Sequence, residues 1–321
     1  MSSTTMNPED TGGPETLGRR IYKRLSSVPS WALWILVAVW TLPSFSLMVN
    51  SFRTRIDQRN QGFWEVFTHP GRLTTENYEV VLDRSGVDSL FDSLISSFAI
   101  AIPATVIPIA FAAFAAYAFA WIDFMGRDWL FIGTISLLAI PLQVALIPLL
   151  TTYVGGAHWT IPFTERTLTL IPDLDLNTRG AVAVWLTHTG FAMPFSIFLL
   201  HNYITELPGE IFESARLDGA SHFTIFWRLV LPLSVPALAA FAIFQFLWTW
   251  NDFLIALTML SGGNPIDLPT TVRIANLAGD FGRNEHLLPA GAFVQAAVPL
   301  VVFFSLQRYF VRGLLAGSVK G

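Results

Sequence analysis

The chain of 321 residues contains no cysteine and only two lysines, Lys23 and Lys320. The first absence excludes disulfides, thiolate metal sites and cysteine nucleophiles, and leaves the redox compartment open. The second leaves no lysine in a G-x-x-x-x-G-K-[ST] setting, so the chain has no phosphate-binding loop with which to hold ATP. Neither G-x-S-x-G nor H-E-x-x-H occurs, and the six histidines are scattered. A net charge of −4 and the lack of a basic stripe argue against nucleic-acid binding. Charge of either sign is scarce: Asp, Glu, Lys and Arg make up 13% of the residues, about half the share found in soluble domains.

The scarcity comes in blocks. Six stretches carry no Asp, Glu, Lys or Arg: 25–52, 93–122, 129–164, 180–205, 229–251 and 286–307. A helix rising about 1.5 Å per residue needs about 20 apolar residues to cross about 30 Å of hydrocarbon, and every block is long enough. The blocks lack the alternation of barrel strands. They predict an all-α membrane protein in contact with the lipid bilayer, with six spans at about 31–50, 93–121, 129–153, 181–203, 231–260 and 287–310. The basic cluster Arg19, Arg20, Lys23 and Arg24 resembles the start of a secretory signal. The apolar core Trp31 to Val49 is longer than a signal core and no small-x-small cleavage site follows, so it reads as a retained span. The expected organisation is a tail over 1–30, disordered in its first part, a six-span body over 31–312, and a second tail over 313–321. An even number of spans puts both tails on one side. The distribution of Lys and Arg is too balanced to say which.

Spans two to six each contain proline: Pro103 and Pro108, Pro141 and Pro148, Pro194, Pro236, and Pro299. These weaken the helical ladder, and read either as ordinary bundle irregularity or as joints in a moving path. Ala112, Ala116 and Ala120 make a small-residue stripe where another backbone can pack closely. Trp34, Trp40, Trp121, Trp129, Trp185, Trp248 and Trp250 fall mostly near span ends and are assigned to an interfacial belt. His188 and His201 bracket span four and are expected at its interfaces.

Residues 206–228, between spans four and five, are amphipathic and too charged to cross lipid. Pro208 suits a first helical turn, and Glu210 and Glu213 sit favourably near that N-terminus. Ile211, Phe212 and Ala215 share an apolar face beside an acidic edge of Glu206, Glu210 and Glu213. Gly219 can end this helix in a left-handed conformation, and Ser221 can cap a second one carrying Phe223, Phe226, Trp227 and Val230. Such a helix-turn-helix, leading straight into a span at Pro232, is a rigid knob that a soluble partner could grip, or an interfacial helix resting on headgroups.

The order of residues resembles one family. Glu213-Ser214-Ala215, three residues, Gly219, nine residues and Leu229-Val230-Leu231-Pro232 are similar to the EAA motif of ABC-importer permeases, E-A-A-x3-G-x9-I-x-L-P. Asp218-Gly219-Ala220, Trp250-Asn251-Asp252-Phe253-Leu254, Leu142-Gln143-Val144 with Ile147-Pro148-Leu149, and the ending from Gln307-Arg308-Tyr309 through Gly313-Leu314 to Gly321 resemble the carbohydrate branch, in particular its smaller maltose-type subunit. Two departures stand out: Asp92-Ser93-Leu94 replaces the usual Asn-Ser-Leu, and 155–172 is extra loop.

The resemblance implies a type I importer permease in a bacterial or archaeal inner membrane, both termini cytoplasmic, without catalytic residues, metal or cofactor. It implies a second permease chain as heterodimer partner, two ATPase subunits that hold ATP–Mg, and an extracytoplasmic solute-binding protein. Glu210, Glu213, Ala215, Asp218, Gly219, Ala220, Leu231 and Pro232 are then the ATPase-coupling residues, and movement of 206–228 would tilt spans four and five. Gly317 and Lys320 belong to a tail lying along the ATPases. Asn276, Gly279 and Asp280 belong to a loop reaching toward the binding protein.

Gln245, Trp248, Asn251 and Asp252 are the candidates for the translocation pathway. Gln245 sits nearer mid-span between Phe244 and Phe246, and its amide could bond sugar hydroxyls or tie two helices together. Asp252 lies about 20 residues past Pro232, about 30 Å along a helix, which favours capping or loop anchoring over sugar contact. The expected cargo is a carbohydrate, an oligosaccharide such as an α-glucoside, with a polyol or glycerol phosphate as alternatives. An ion-gradient transporter would call for inverted repeats and paired mid-span carboxylates, and the sequence has neither. A membrane hydrolase would need Ser and His facing each other at depth, whereas Ser221-His222 lies in the polar segment.

Overall fold

The computed structural model describes residues 29–161, 166–260, 267–277, 279 and 282–316, the last nine by backbone only. The first 28 residues, Asp280, Gly317 and Lys320 lie outside the described residues. The first span is α1, Ser30–Ser51. A short α2, Arg55–Asn60, two 3-10 turns and α3, Glu76–Leu82, lead into the longest helix, α4, Phe91–Trp121. Then come α5, Arg127–Ser136, and α6, Leu142–Gly155. A hairpin of β1, Ala157–Thr160, and β2, Thr167–Ile171, precedes α7, Leu176–Thr205. The polar segment forms α8, Gly209–Leu217, and α9, His222–Ile225, followed by a π-helical turn, Phe226–Val230, and α10, Leu231–Leu233. The remainder is α11, Val235–Trp250; α12, Leu254–Leu260; α13, Thr270–Leu277; and α14, Leu288–Ala316.

Four of these helices are long and apolar enough to span alone: α1, α4, α7 and the last, whose apolar stretch is Glu285–Gln307. The other two expected spans are not single helices. Span three, expected as continuous over 129–153, is α5 and α6 bent by 102°. The bend falls at Pro141, which disfavours helical backbone at the residue before it: Ile140 is extended at φ −81°, ψ 115°. Span five, expected over 231–260, is in three pieces. α9–α10 meets α11 at 70°, and α11 stops at Trp250 before α12 begins. At 16 residues, α11 covers about 24 Å, short of a full crossing. By contrast Pro103, Pro108, Pro194 and Pro299 stay inside continuous helices, where neighbouring helices support the weakened ladder.

The central pair is α4 on α7. Ala112 and Ala116 are completely buried in it, so the small-residue stripe serves close helix packing. Trp250 is also core rather than belt: it is 2% exposed and donates from Nε1 to Gln295 O at 3.1 Å, tying α11 to α14. Trp34, Trp40 and Trp129 stand exposed on the helix surfaces.

At the end remote from 206–228, the 52–90 segment closes over the start of α14. Gln58 donates to His286 O at 3.0 Å, Asn284 to Asp88 at 3.0 Å, and Val81, Leu90, Leu277, Leu287 and Ala290 form a small core beneath. The extra loop at 155–172 is the antiparallel hairpin, its base tied by Leu174 N to Tyr153 O at 2.7 Å. Asn77, 3% exposed, donates to Ser51 O and Arg53 O at 3.0 and 2.8 Å and so anchors the segment to the end of α1. Asn77→Ala is expected to leave Ser51 O short of a donor and cost about 1–3 kcal/mol. Thermal unfolding in detergent should register a lower midpoint for the variant, and an unchanged midpoint would deny Asn77 its anchoring role.

Candidate functional site

Local chemistry shapes the 206–228 pair. Pro208 is the residue before α8, at φ −60° and ψ 121°, and Glu210 lies in the first turn, where an acidic side chain favours the helix dipole. The C-terminus closes on Gly219 at φ 78°: Gly219 N donates to Arg216 O, and Ala220 N to Ala215 O, both at 3.0 Å. This pair of bonds requires a left-handed residue between helix and turn, a conformation costing an L-residue about 1–2 kcal/mol. Ser221 then caps α9, its Oγ accepting from Thr224 N at 3.3 Å. The result is a tight reversal with no slack residues.

Burial divides the pair into a gripped side and a free side. Phe212 is completely buried, Ala215 half-buried, and Ile225 and Phe226 are buried. Ile211, expected on the same apolar face, is instead 37% exposed. Glu206, Glu210, Glu213 and Asp218 are all exposed, with Leu217 and Phe223 apolar beside them at 89% and 68% exposure. The free side is thus acidic with an apolar tip, suited to a basic cleft with an apolar floor.

What grips the buried side is span two. The Trp121 ring stacks on Phe212 with centroids 4.1 Å apart and planes at 20°. Its Nε1 donates to Ile204 O at 3.3 Å, and its own carbonyl accepts from Arg216 at 3.4 Å. One turn earlier, Tyr117 pairs its hydroxyl with His222 Nδ1 at 2.9 Å, and Phe114 stacks on Phe226 at 4.4 Å. Neither Trp121 nor Tyr117 was expected to touch this element: a tryptophan at a span end reads as belt, and no local pattern pairs residues about 90 positions apart. Leu231 and Pro232 lie beyond the π-helical turn in the connector to α11.

The candidate pathway residues divide. Gln245 is 1% exposed and donates to Ala104 O at 3.1 Å, so it ties α11 to α4 and is not displayed for a solute. Trp248 lines an apolar cavity of about 360 Å³ with Tyr153, Thr187, Phe191 and the residues around the span-three bend. Asn251 is exposed and donates to Leu247 O at 2.8 Å, closing the end of α11. Asp252 caps α12, accepting from Ile255 N at 3.3 Å and Ala256 N at 3.0 Å. His188, expected at an interface, is fully buried within the protein, with Nε2 3.6 Å from Asp252 and its ring edge-on to Trp248. His201 is half-buried against Phe131, with centroids 4.2 Å apart. Asn276 and Gly279 are exposed near the end of α13. Asp280 of the same loop lies outside the described residues.

The chain thus combines four continuous and two broken candidate membrane crossings with an exposed acidic helix pair between the fourth and the fifth. Residues 109–316 match the family described as "Binding-protein-dependent transport system inner membrane component". The chain is 48% identical over 293 residues to the osmoprotective compounds uptake permease protein GgtD of Synechocystis sp., covering 90% of each. It is 49% identical over 277 residues to the alpha-glucoside transport system permease protein AglG of Rhizobium meliloti, covering 84% of this chain and 68% of that one. The fold superposes on a chain of a bacterial ABC transporter involved in the import of alginate, with TM-score 0.62, 14% identity and 91% of this chain covered. This chain belongs to the family of binding-protein-dependent inner-membrane transport components, and is a multi-pass, non-catalytic permease subunit.

Replacing Asp252 with Ala is expected to free two N–H donors at the start of α12 and cost about 0.5–2 kcal/mol. Asp252→Asn, which keeps an acceptor, should lose less. The order of thermal midpoints in detergent checks this, and equal midpoints for the two variants would contradict it.

Proposed function

We propose that the chain forms one half of the translocation pathway of a carbohydrate importer and transmits ATP-driven motion through residues 206–228. The observation that carries the reading is the Gly219-turned helix pair, held on its buried side by span two and presenting Glu210, Glu213 and Asp218 on the other. An exposed acidic knob outside the spans fits a cleft on a soluble ATPase whose basic group meets Glu213. In this reading 206–228 and both termini face the cytoplasm, and the 52–90 segment and hairpin face outward. ATP–Mg is bound and hydrolysed by two partner ATPase subunits. A second permease chain completes the path, and a solute-binding protein delivers cargo at the outer end, near Asn276 and Gly279.

An α-glucoside is the proposed cargo, supported by the name of the relative from Rhizobium meliloti at 49% identity. The cyanobacterial relative, named for osmoprotective compounds, favours a compatible solute as the second reading. Aromatic rings at Trp248, Tyr153 and Phe191 line the cavity and offer the flat faces on which sugar C–H surfaces pack. Alternating access would follow from ATPase closure drawing the helix pair inward, with the jointed fifth span opening one end as the other shuts.

The test is purification in mild detergent followed by identification of what co-purifies. An ATPase is expected, with hydrolysis stimulated by the binding protein carrying maltose; if no ATPase associates, the reading fails. Glu213→Lys and Gly219→Asp are expected to leave the chain in the membrane while uptake stops, and wild-type uptake in both would refute the coupling role. Because the chain lacks cysteine, Met125→Cys, fully exposed just past the end of span two that meets the helix pair, offers a single label site. A membrane-impermeant maleimide should modify it in inverted vesicles only, and modification in intact spheroplasts would reverse the proposed orientation.

A further inference from the structure

The helix pair connects to the membrane body in three ways: covalently to span four through residues 206–208, covalently to span five, and by side-chain contacts to span two; the last two differ in kind. The covalent route into span five is jointed. It passes through the π-helical turn Phe226–Val230, the three-residue α10, and a 70° bend at Ser234. Pro232 and Pro236 supply no backbone N–H to this stretch, and the hydroxyl of Ser234 is buried without a partner. A π turn and two prolines leave a weak backbone ladder, which bends before it pushes.

The non-covalent route into span two is rigid. Trp121 is the meeting point of three elements: its ring lies flat on Phe212 of α8, its indole N–H bonds Ile204 O at the end of span four, and its carbonyl accepts from Arg216. Tyr117 and Phe114 repeat the attachment one and two turns deeper, through His222 and Phe226. Four side chains of the helix pair, Phe212, Arg216, His222 and Phe226, therefore close on one continuous, 31-residue helix.

We infer that Trp121 is a positioning residue of the transport cycle: it clamps the helix pair to span two, so that span two moves with the pair as one body while span five follows through a joint. This differs from motion passed chiefly to spans four and five, and it assigns the transmission to a residue outside the 206–232 segment. The inference rests on the proposed coupling to an ATPase.

The experiment uses the complete importer in proteoliposomes and counts solute imported per ATP hydrolysed. Trp121→Ala is expected to lower that ratio about threefold to tenfold, the range expected for loss of an aromatic stack, while ATP hydrolysis continues. Trp121→Phe, which retains a stacking ring, should recover most of the ratio. In a second arm, spin labels at Ile211→Cys and Met125→Cys, both exposed, report the distance between the helix pair and the end of span two. That distance is expected to stay the same with and without ATP, whereas the distance from Ile211→Cys to Val39→Cys in span one changes. An unchanged ratio in Trp121→Ala, or an Ile211–Met125 distance that shifts with ATP, would overturn the inference. The label arm decides the matter if Trp121→Ala fails to assemble. Failure of the wild-type chain to bind any ATPase would instead defeat the proposed function.

Discussion

Hydrocarbon offers no partner for a backbone N–H or C=O, and this constraint organises the whole molecule. A helix meets it without help; a break in a helix meets it only where side chains or neighbouring backbone step in. Several interruptions of the bundle carry such a repair. Asp252 accepts from the first amides of α12, Asn251 bonds the end of α11, and Trp121 donates to a carbonyl freed at the end of α7. The polar side chains inside the membrane body largely belong to this repair work. That is why Gln245, attractive as a sugar contact, lies in a helix–helix seam bonded to Ala104 O.

Repair at a break has a mechanical consequence. A continuous helix such as α4 behaves as a rod, whereas α11, bent at one end and interrupted at the other, behaves as a segment between joints. Packing the 206–228 pair on the rod and stringing it covalently to the jointed segment separates holding from yielding. The aromatic contacts are well suited to the holding. Stacked rings retain van der Waals contact under small displacements and need no water, whereas the exposed carboxylates on the opposite side keep their hydration.

His188 shows a different economy. It is buried beside the capped break, 3.6 Å from Asp252 and edge-on to Trp248, so the fourth and fifth crossings meet around a polar pair with an aromatic lid. Trp248 in turn faces the cavity formed at the bend of span three. Two interruptions, at Pro141 and at Asp252, and the His188 contact thus converge in one region of the bundle.

Much of this protein is determined by sequence alone. Blocks without charge specify spans because the cost of a buried charge is independent of what packs nearby. The Gly219 reversal, the Ser221 cap and the Asp252 cap are likewise local, since each is a side chain or a φ angle acting within a few residues. Membership of the permease family follows from such local signals read in order. Tertiary structure alone decided which prolines bend: Pro141 and Pro236 sit at bends while Pro103, Pro108, Pro194 and Pro299 do not, because neighbours determine whether a weakened ladder is supported. It also decided that Trp121 and Trp250 are internal, that Ile211 is exposed, and that His188 lies at the core. Each depends on contact between residues distant in the chain, and periodicity within one segment carries no information about the surface it will meet.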